Sequence, residues 1–453
     1  MPGFSVEGAR VTVIGAARSG IAAAELLVRR GAQVTLSDVK PSIAEAARMQ
    51  EIGVTLKLGS NDGTELEHAD LIVVSPGVPL ELPVIAAAGA RGVPVVGELE
   101  LASRWLRGRL VAVTGTKGKS TTTTLVGRML KAAGRNVLVG GNIGVPLSSQ
   151  VDESTDDSIH VVEASSFQLE ATVTFRPWIA ALLNFSPDHL DRHPNEKAYG
   201  AAKARVFANQ TADDWAVVNA DSAGSMALAE RSRARRVAYA VDNIDKADIY
   251  VERDFIWQRT SEGATPLVPL ASIQLSGRHM LSNVAAASAI AQAAGSSGES
   301  MARALEGFTG LEHVMEPVAT WGGVRFVNDS KATNVDAAGR SIESFDRVVA
   351  IIGGRYKGGA FSDLAGPLAD RGRGVVAIGE ARPLVRQALE HVVPLVEADS
   401  LYDAVRAAYE LARPDGVVLL APGCSSFDMF ADYADRGRVF KAEVERLIKN
   451  EAS

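Results

Sequence analysis

The residues best suited to chemistry stand in one glycine-containing run, TGTKGKST at residues 114–121. The apolar stretch 110–113 before it predicts a buried strand, and residues 122–133 after it have helical composition. A strand, a glycine turn and a helix start form a phosphate cradle, because backbone N–H groups and the helix dipole face the anion. Lys119 adds positive charge there, and Ser120 adds a hydroxyl ligand for Mg²⁺. The run therefore predicts a nucleoside triphosphate site.

This run differs in one respect from the common phosphate-binding loop. The usual pattern has a glycine five residues before the Gly-Lys pair, where this chain has Val113. Gly115 lies only three residues before Gly118, which predicts a compact variant of the loop. A glycine turn with an incidental lysine is the alternative interpretation.

Polar residues also follow two predicted strands further along the chain. Glu163 comes at the end of a strand predicted over 159–162, and His189 lies in the loop after a strand predicted over 179–183. In open parallel sheets, ligands gather at the carboxyl ends of strands. A carboxylate and an imidazole beside bound phosphates would be suitable metal ligands. The alternative is that Glu163 caps the next helix and His189 only orders its loop.

Length and composition limit the possible classes of protein. A chain of 453 residues exceeds one ordinary core, so about three domains are expected. The net charge of −7 argues against a nucleic-acid partner. The single cysteine, Cys424, excludes an internal disulfide and suits a reducing compartment. Neither a secretory leader nor an apolar run of about 20 residues is visible, so we expect a cytoplasmic protein with no membrane partner.

Alternating strand and helix patterns predict an α/β fold with three domains. Residues 1–106 open with a strand, a glycine loop and an acid, Asp38, which predicts a Rossmann-like domain. Residues 107–307 are expected to form a central domain of the P-loop ATPase type. Residues 308–453 are expected to form a second Rossmann-like domain. Ala17 replaces the middle glycine of the dinucleotide fingerprint, so a close fit to a dinucleotide pyrophosphate is not expected.

Six motifs occur in order at sensible spacing along essentially the whole chain. They are TGTKGKS at 114–120, GNIG at 141–144, EASSFQ at 163–168, DHLDR at 188–192, NDSKATN at 328–334 and SSFD at 425–428. In this combination the sequence resembles the Mur ligases, the ATP-dependent amide ligases of peptidoglycan precursor synthesis.

The branch of the family that the chain resembles adds D-glutamate to UDP-N-acetylmuramoyl-L-alanine through an acyl phosphate. The resemblance implies ATP, two Mg²⁺ ions and a carbamate formed from CO₂ on Lys203 as cofactors, with the enzyme acting as a monomer. From composition alone, Lys203 would be an exposed residue of a helix predicted over 196–209. The open alternatives are another Mur ligase, a folylpolyglutamate synthetase-like ligase, or a non-catalytic UDP-sugar sensor switched by ATP.

The resemblance also implies a role for residues at each motif. The catalytic residues would be Lys119, His189 and Lys203, and the metal ligands Ser120, Glu163, His189 and Lys203. ATP would contact Gly115, Thr116, Lys117, Gly118, Lys119, Ser120, Thr121 and Asp329. The UDP substrate would meet Ser19, Asp38, Lys40, Gly77 and Asn142, and D-glutamate would meet Lys331, Thr333, Lys357, Ser426 and Phe427.

Three residues depart from the family pattern. Lys117 stands where the family loop has asparagine, Val314 follows His313 where arginine is usual, and Met280 replaces an asparagine expected near adenine. None of these changes removes a phosphate, metal or amino-acid site. We expect altered nucleotide affinity with activity retained.

Overall fold

The computed structural model describes residues 4–60, 62–189, 192–273, 278–356 and 358–451. These residues divide into two compact units, the first ending at Phe308 and the second beginning at Thr309. The described strands make three sheets, two in the first unit and one in the second. The predicted alternation of strands and helices is confirmed, whereas the domain boundaries proposed from the sequence stay predictions.

The first sheet is parallel and has five strands. They are β1 (Arg10–Ile14), β2 (Gln33–Asp38), β3 (Thr55–Leu58), β4 (Leu71–Val74) and β5 (Val95–Gly97). The helices of this region are α1 (Arg18–Arg29), α2 (Ala46–Glu51), α3 (Pro83–Ala90) and α4 (Glu98–Ser103). The strand order is β3-β2-β1-β4-β5. Chain order therefore reverses between β1 and β4, which opens a crevice at their carboxyl ends.

The second sheet has nine strands in the order β14-β13-β12-β11-β10-β9-β6-β8-β7. They are β6 (Arg109–Thr114), β7 (Asn136–Gly141), β8 (Ser158–Glu163), β9 (Ile179–Leu182), β10 (Trp215–Asn219), β11 (Arg235–Ala240), β12 (Ile249–Glu252), β13 (Phe255–Thr260) and β14 (Gly263–Pro269). Its helices are α5 (Lys119–Ala132), α6 (Ser166–Glu170), α7 (Glu196–Ala204), α8 (Ala223–Leu228), α9 (Arg278–Ala293) and α10 (Gly298–Leu305). Pairing is parallel from β7 to β12 and antiparallel beyond. The central strands β6 and β9 contain continuous apolar runs because helices cover both faces of the sheet, whereas β8 includes the buried His160.

The third sheet, in the second unit, has six strands in the order β15-β16-β20-β17-β18-β19. They are β15 (Glu316–Trp321), β16 (Val324–Asn328), β17 (Val348–Gly353), β18 (Gly372–Ile378), β19 (Leu395–Glu397) and β20 (Val417–Leu420). The helices are α11 (Val335–Glu343), α12 (Ala365–Arg371), α13 (Arg382–Leu389), α14 (Leu401–Ala412) and α15 (Tyr433–Glu451). Among the described strands of this sheet, only β15 pairs antiparallel with its neighbour. In the part of the chain that is described, no helix has both the length and the apolar composition to cross a bilayer.

Two predicted helices differ from the observed ones at their ends. Helix α5 begins at Lys119 rather than at residue 122, because Gly118 adopts a left-handed conformation (φ 80°) that turns the loop directly into the helix. The helix predicted over 196–209 ends at Ala204 and continues as a 3₁₀ turn over Arg205–Phe207. Lys203 remains inside the α-helical part.

Glu100 in α4 ties the first sheet's last helix to the chain after α6. Its carboxylate is fully buried and accepts backbone N–H groups of Val173 (2.8 Å), Thr174 (3.0 Å) and Phe175 (2.8 Å). Arg104 Nε also donates to it, at 2.9 Å. Burial raises the pKa of the Glu100 carboxyl, but its hydrogen bonds outweigh burial and hold that pKa below its ordinary value. The ionised carboxylate therefore stabilises this junction.

Replacing Glu100 by alanine is expected to lower the free energy of unfolding by about 3–5 kcal/mol at pH 7, because the buried N–H groups and Arg104 would lose their hydrogen-bond acceptor. A carboxyl with a lowered folded pKa contributes stability above its ordinary pKa of 4.5 and loses it as pH falls through the folded pKa. The deficit of the variant should therefore shrink in urea titrations repeated near pH 4. The exposed Glu51→Ala change serves as control and should stay within about 0.5 kcal/mol. Equal midpoints for Glu100→Ala and wild type at pH 7 would contradict this role.

Candidate active site

The loop between β6 and α5 has the geometry of a phosphate cradle. Lys119 Nζ folds back over the loop and donates to the carbonyls of Gly115 and Thr116, both at 2.9 Å. The Thr116 N–H donates a hydrogen bond to the Asn184 carbonyl at 3.1 Å, which fixes the loop in place. The helix that starts at Lys119 has 14 residues, so its N-terminal N–H groups and dipole favour an anion at the loop.

Lys203 reaches the same loop from α7. Its Nζ donates to the Gly115 carbonyl at 2.7 Å and lies 4.6 Å from the centre of the Tyr199 ring. Only 1% of the residue is exposed. Burial and, secondly, the nearby charge of Lys119 lower the pKa of Lys203 to about 6. At neutral pH Lys203 is therefore largely a neutral amine, which is nucleophilic.

Glu163 stands at the end of β8, beside the loop-bearing strand, where it pairs with Val113. The residue is 2% exposed, and its Oε1 accepts the Asn142 side-chain N–H at 2.6 Å. Its Oε2 is buried and has no hydrogen-bond partner among the described residues. A buried carboxylate oxygen without a partner is costly. This oxygen is therefore suited to a cation.

His189 lies in a tight turn after β9, with a left-handed backbone (φ 55°) that is uncommon outside glycine. Its carbonyl accepts the N–H groups of Arg192 (3.1 Å) and His193 (2.9 Å). Its ring packs edge-on against Phe167 and Tyr199, with centroids 5.0 and 6.1 Å away. The Tyr199 ring therefore contacts both His189 and the Lys203 side chain.

The predicted metal ligands are Ser120, Glu163, His189 and Lys203. Ser120 is in the first turn of α5, and Glu163 acts electrostatically on Lys203. Within the described ranges, no group of three or more His, Cys, Asp and Glu residues has metal-binding geometry. The predicted set contains only two residues of those types, and its assignment stays a prediction.

The residues predicted to hold the UDP substrate lie mainly at the carboxyl end of the first sheet. Asp38 accepts the N–H of Ala16 (2.6 Å) and that of Lys40 (2.9 Å). Ser19 is in the first turn of α1, and Gly77 follows β4. Neighbouring strands β2, β1 and β4 bring these loops together. Asn142, assigned to the same substrate, instead follows β7 of the second sheet.

The residues predicted to bind D-glutamate belong to the second unit. Lys331 and Thr333 follow β16, and Ser426 and Phe427 follow its parallel neighbour β20. Ser426 is buried, whereas Phe427 is 63% exposed. Lys357 lies outside the described residues. The four described residues thus gather at the carboxyl ends of two adjacent strands.

Asp329, the predicted ribose contact, comes directly after β16 and is buried. Its carboxylate accepts the Met315 N–H at 3.1 Å and the Ser341 hydroxyl. Burial raises the pKa of this carboxyl. Its predicted contact with ATP remains a prediction.

Sequence reasoning missed Arg436, which joins two loops of the second unit from α15. The side chain is completely buried. It donates from Nε to the Ser330 hydroxyl (2.9 Å), and from the other nitrogens to the carbonyls of Ser330 (2.9 Å) and Cys424 (3.2 Å). Burial lowers the pKa of Arg436 to about 10. The loops carrying Lys331 and Ser426 are therefore braced by one guanidinium.

Asn283 and His193 were also missed. Asn283, on α9, lies so close to the cradle that a Cβ on Gly118 would come within 2.2 Å of its Oδ1. Asn283 lies one helical turn after Met280, the residue that replaces the asparagine expected near adenine. Its carboxamide therefore lies beside the loop although Met280 has none. The His193 Nε2 lies 3.0 Å from the Ser166 hydroxyl, and its ring stacks on Phe167. In sequence, only the position of His193 directly after the DHLDR motif could have drawn attention to it.

Comparison with known proteins supplies the family. Three family models match: the N-terminal domain of MurD-like Mur ligases over residues 9–97, the Mur ligase middle domain over 113–291, and the Mur ligase glutamate ligase domain over 315–424. A protein of Acidobacterium capsulatum named UDP-N-acetylmuramoylalanine–D-glutamate ligase is 44% identical over 97% of this chain and 96% of its own. This chain belongs to the Mur ligase family.

Further relatives agree with this placement. A Koribacter versatilis protein with the same name is 42% identical, covering 99% of this Mur ligase and 100% of its own length. Among solved structures, UDP-N-acetylmuramate-alanine ligase from Thermotoga maritima covers 98% of this chain and 100% of its own at 18% identity, with a TM-score of 0.57. That likeness concerns the fold alone. The family resemblance and the three-domain α/β fold expected from the sequence are both confirmed.

Proposed function

We propose that this Mur ligase joins D-glutamate to UDP-N-acetylmuramoyl-L-alanine in an ATP-dependent reaction. Relatives of that name, more than 40% identical over nearly the whole chain, are the observation that carries the proposal. The geometry of the first unit supports it, since Lys119 and Lys203 converge on the Gly115 carbonyl. We expect it to act as a cytoplasmic monomer in peptidoglycan precursor synthesis.

The chemical difficulty is that one anion attacks another. An oxygen of the L-alanine carboxylate forms a bond to the γ-phosphorus while the bond to ADP breaks, giving an acyl phosphate and ADP. Lys119 and the N-terminus of α5 hold the phosphates and offset this repulsion. The other residues assigned to the loop, Gly115, Thr116, Lys117, Gly118, Ser120 and Thr121, would complete the contacts with ATP.

The second step forms the amide bond. The D-glutamate amine attacks the acyl carbon, phosphate leaves with the C–O electron pair, and the amine loses a proton. Lys331, Thr333, Ser426 and Phe427, with Lys357, would orient D-glutamate, the lysines pairing with its carboxylates. Asp329 would meet the ATP ribose. Ser19, Asp38, Lys40, Gly77 and Asn142 would hold the UDP substrate.

The residues present fit a hard divalent cation. Glu163 Oε2, which has no hydrogen-bond partner among the described residues, is an oxygen ligand of the kind that Mg²⁺ prefers, and so is the Ser120 hydroxyl. His189 would join them as a protein ligand. Two Mg²⁺ ions, when bound, would neutralise phosphate charge during the transfer.

Lys203 would contribute as a carbamate. Its neutral amine would form a C–N bond to CO₂ and lose a proton, which turns a buried neutral amine into an anion with oxygen atoms that can bind a metal. The low pKa of Lys203 supports this chemistry, since only the unprotonated amine is nucleophilic.

The proposed function predicts phosphate release only when UDP-N-acetylmuramoyl-L-alanine, ATP and D-glutamate are all present. Mass spectrometry of the product should then show the two substrates joined with loss of water. Release that does not need the amino acid would instead indicate an ATP-switched sensor of the UDP-sugar. Equal use of L-glutamate would indicate folylpolyglutamate-type chemistry, and preference for another amino acid would indicate a different Mur ligase.

A further inference from the structure

Arg192 joins two loops of the first unit that the proposed mechanism treats separately. One guanidinium nitrogen donates to the Val78 carbonyl, after β4 of the first sheet, at 3.1 Å and to Glu170, on α6 of the second sheet, at 2.8 Å. The other terminal nitrogen lies 3.5 Å from Glu81. The group sits over the Phe167 ring at 5.5 Å, and only 16% of the side chain is exposed. It is therefore a fixed bridge rather than a surface cation.

The Val78 end of the bridge belongs to the turn that contains Gly77. Val78 N–H donates to the Ser75 carbonyl at 2.9 Å and closes this turn. The Ser75 hydroxyl donates to the Gly15 carbonyl at 2.6 Å, which fixes the turn to the glycine loop after β1. Arg192 thus holds the crevice in which the UDP part of the substrate is proposed to lie.

The backbone of Arg192, in contrast to its guanidinium, belongs to the turn that contains His189. The backbone N–H of Arg192 donates to the His189 carbonyl at 3.1 Å, and His189 has a left-handed backbone. Such a conformation is unfavourable in a residue other than glycine and persists only where the surroundings enforce it. The anchored Arg192 is one of those surroundings. Moving the guanidinium would therefore also move the turn.

We propose that Arg192 is a positioning residue that couples the UDP-substrate loop at Gly77 to the placement of His189. The inference deepens the proposed function and rests on it. The Arg192 guanidinium contacts the Val78 carbonyl and the Glu170 carboxylate through one terminal nitrogen and faces Glu81 with the other. A lysine ammonium, with a single nitrogen on a flexible stem, does not reproduce that geometry. Substrate seated in the crevice then fixes the turn before the chemical step.

The test is Arg192→Lys in the full chain, with Arg104→Lys as matched control. Arg104 also pairs with a glutamate, packs over a phenylalanine ring at 4.7 Å and has a side chain that is 19% exposed, but among the described residues it has no hydrogen bond or ion pair with either loop. Arg192→Lys should raise the Kd of UDP-N-acetylmuramoyl-L-alanine, measured calorimetrically without ATP, about 10-fold to 100-fold. It should lower kcat about tenfold or more, with the KM for ATP within about twofold. Arg104→Lys should change none of these values more than about twofold.

A double variant tests the coupling itself. In a His189→Ala background, Arg192→Lys should lower kcat no further, although it should still weaken binding of the UDP substrate. Additive losses in kcat, or an unchanged Kd, would overturn the inference. Glu170→Gln retains the arginine and should give the same split in smaller measure if Arg192→Lys folds poorly; wild-type kinetics there would also overturn it. Failure of the proposed function would appear separately, as absence of amide product with the wild-type protein.

Discussion

Replacing Lys119 by methionine is expected to lower kcat/KM for ATP by a factor of about 10²–10³. The methionine keeps most of the length of the side chain but removes the only lysine charge that touches both Gly115 and Thr116 carbonyls within the described cradle. Steady-state kinetics with the other substrates saturating gives the factor. Because the Lys119 charge lowers the pKa of Lys203, the variant should also have a raised pKa at that amine.

Lys131→Met is the matched control for this prediction. Lys131 lies exposed in the last turn of the same helix, α5, so its loss should leave kcat/KM within about twofold. A Lys119→Met protein with nearly normal kcat/KM for ATP would contradict a phosphate-binding role for the loop.

Replacing Lys203 by alanine is expected to reduce kcat by a factor on the order of 10³, because the buried side chain that reaches the Gly115 carbonyl of the phosphate cradle is lost. If the working group is a carbamate, a short carboxylic acid such as acetate should enter the space vacated by the side chain and restore part of the rate. Turnover measured against acetate concentration at neutral pH checks this. Partial rescue at saturating acetate is the expected result.

Two comparisons keep this prediction specific. Lys197→Ala changes an exposed lysine of the same helix and should show neither loss nor rescue. Normal turnover by Lys203→Ala would contradict a catalytic role, and a folded, inactive variant that acetate leaves inactive would favour the amine itself over the carbamate.

The parts of the fold and site that the sequence predicts correctly are local. The phosphate cradle consists of a strand, a glycine turn and a helix start that are contiguous in the chain, so a short stretch of sequence is enough to predict it. Buried strands such as β6 and β9 read as apolar runs because helices cover both faces. The predicted start of helix α5 is three residues later than the observed start, because a glycine in the sequence does not by itself show that its backbone is left-handed.

The remaining features depend on contacts made far along the chain. Asn283 reaches Gly118, and Arg436 reaches Ser330, from helices that follow many intervening elements. Residue type gives no warning of such contacts, because an asparagine or arginine on a helix is ordinarily a surface residue. Lys203 is the same case, because its burial and low pKa exist only once α7 packs against the cradle.

The outermost strand of the nine-stranded sheet has a further consequence. Strand β14 has 7 residues, among them Pro266 and Pro269. An exposed edge strand can pair with strands of other polypeptides through its backbone hydrogen bonds. Proline lacks an N–H and therefore interrupts the row of hydrogen bonds that such pairing needs. This margin is therefore a poor template for aggregation, which favours a protein that stays dispersed at high concentration.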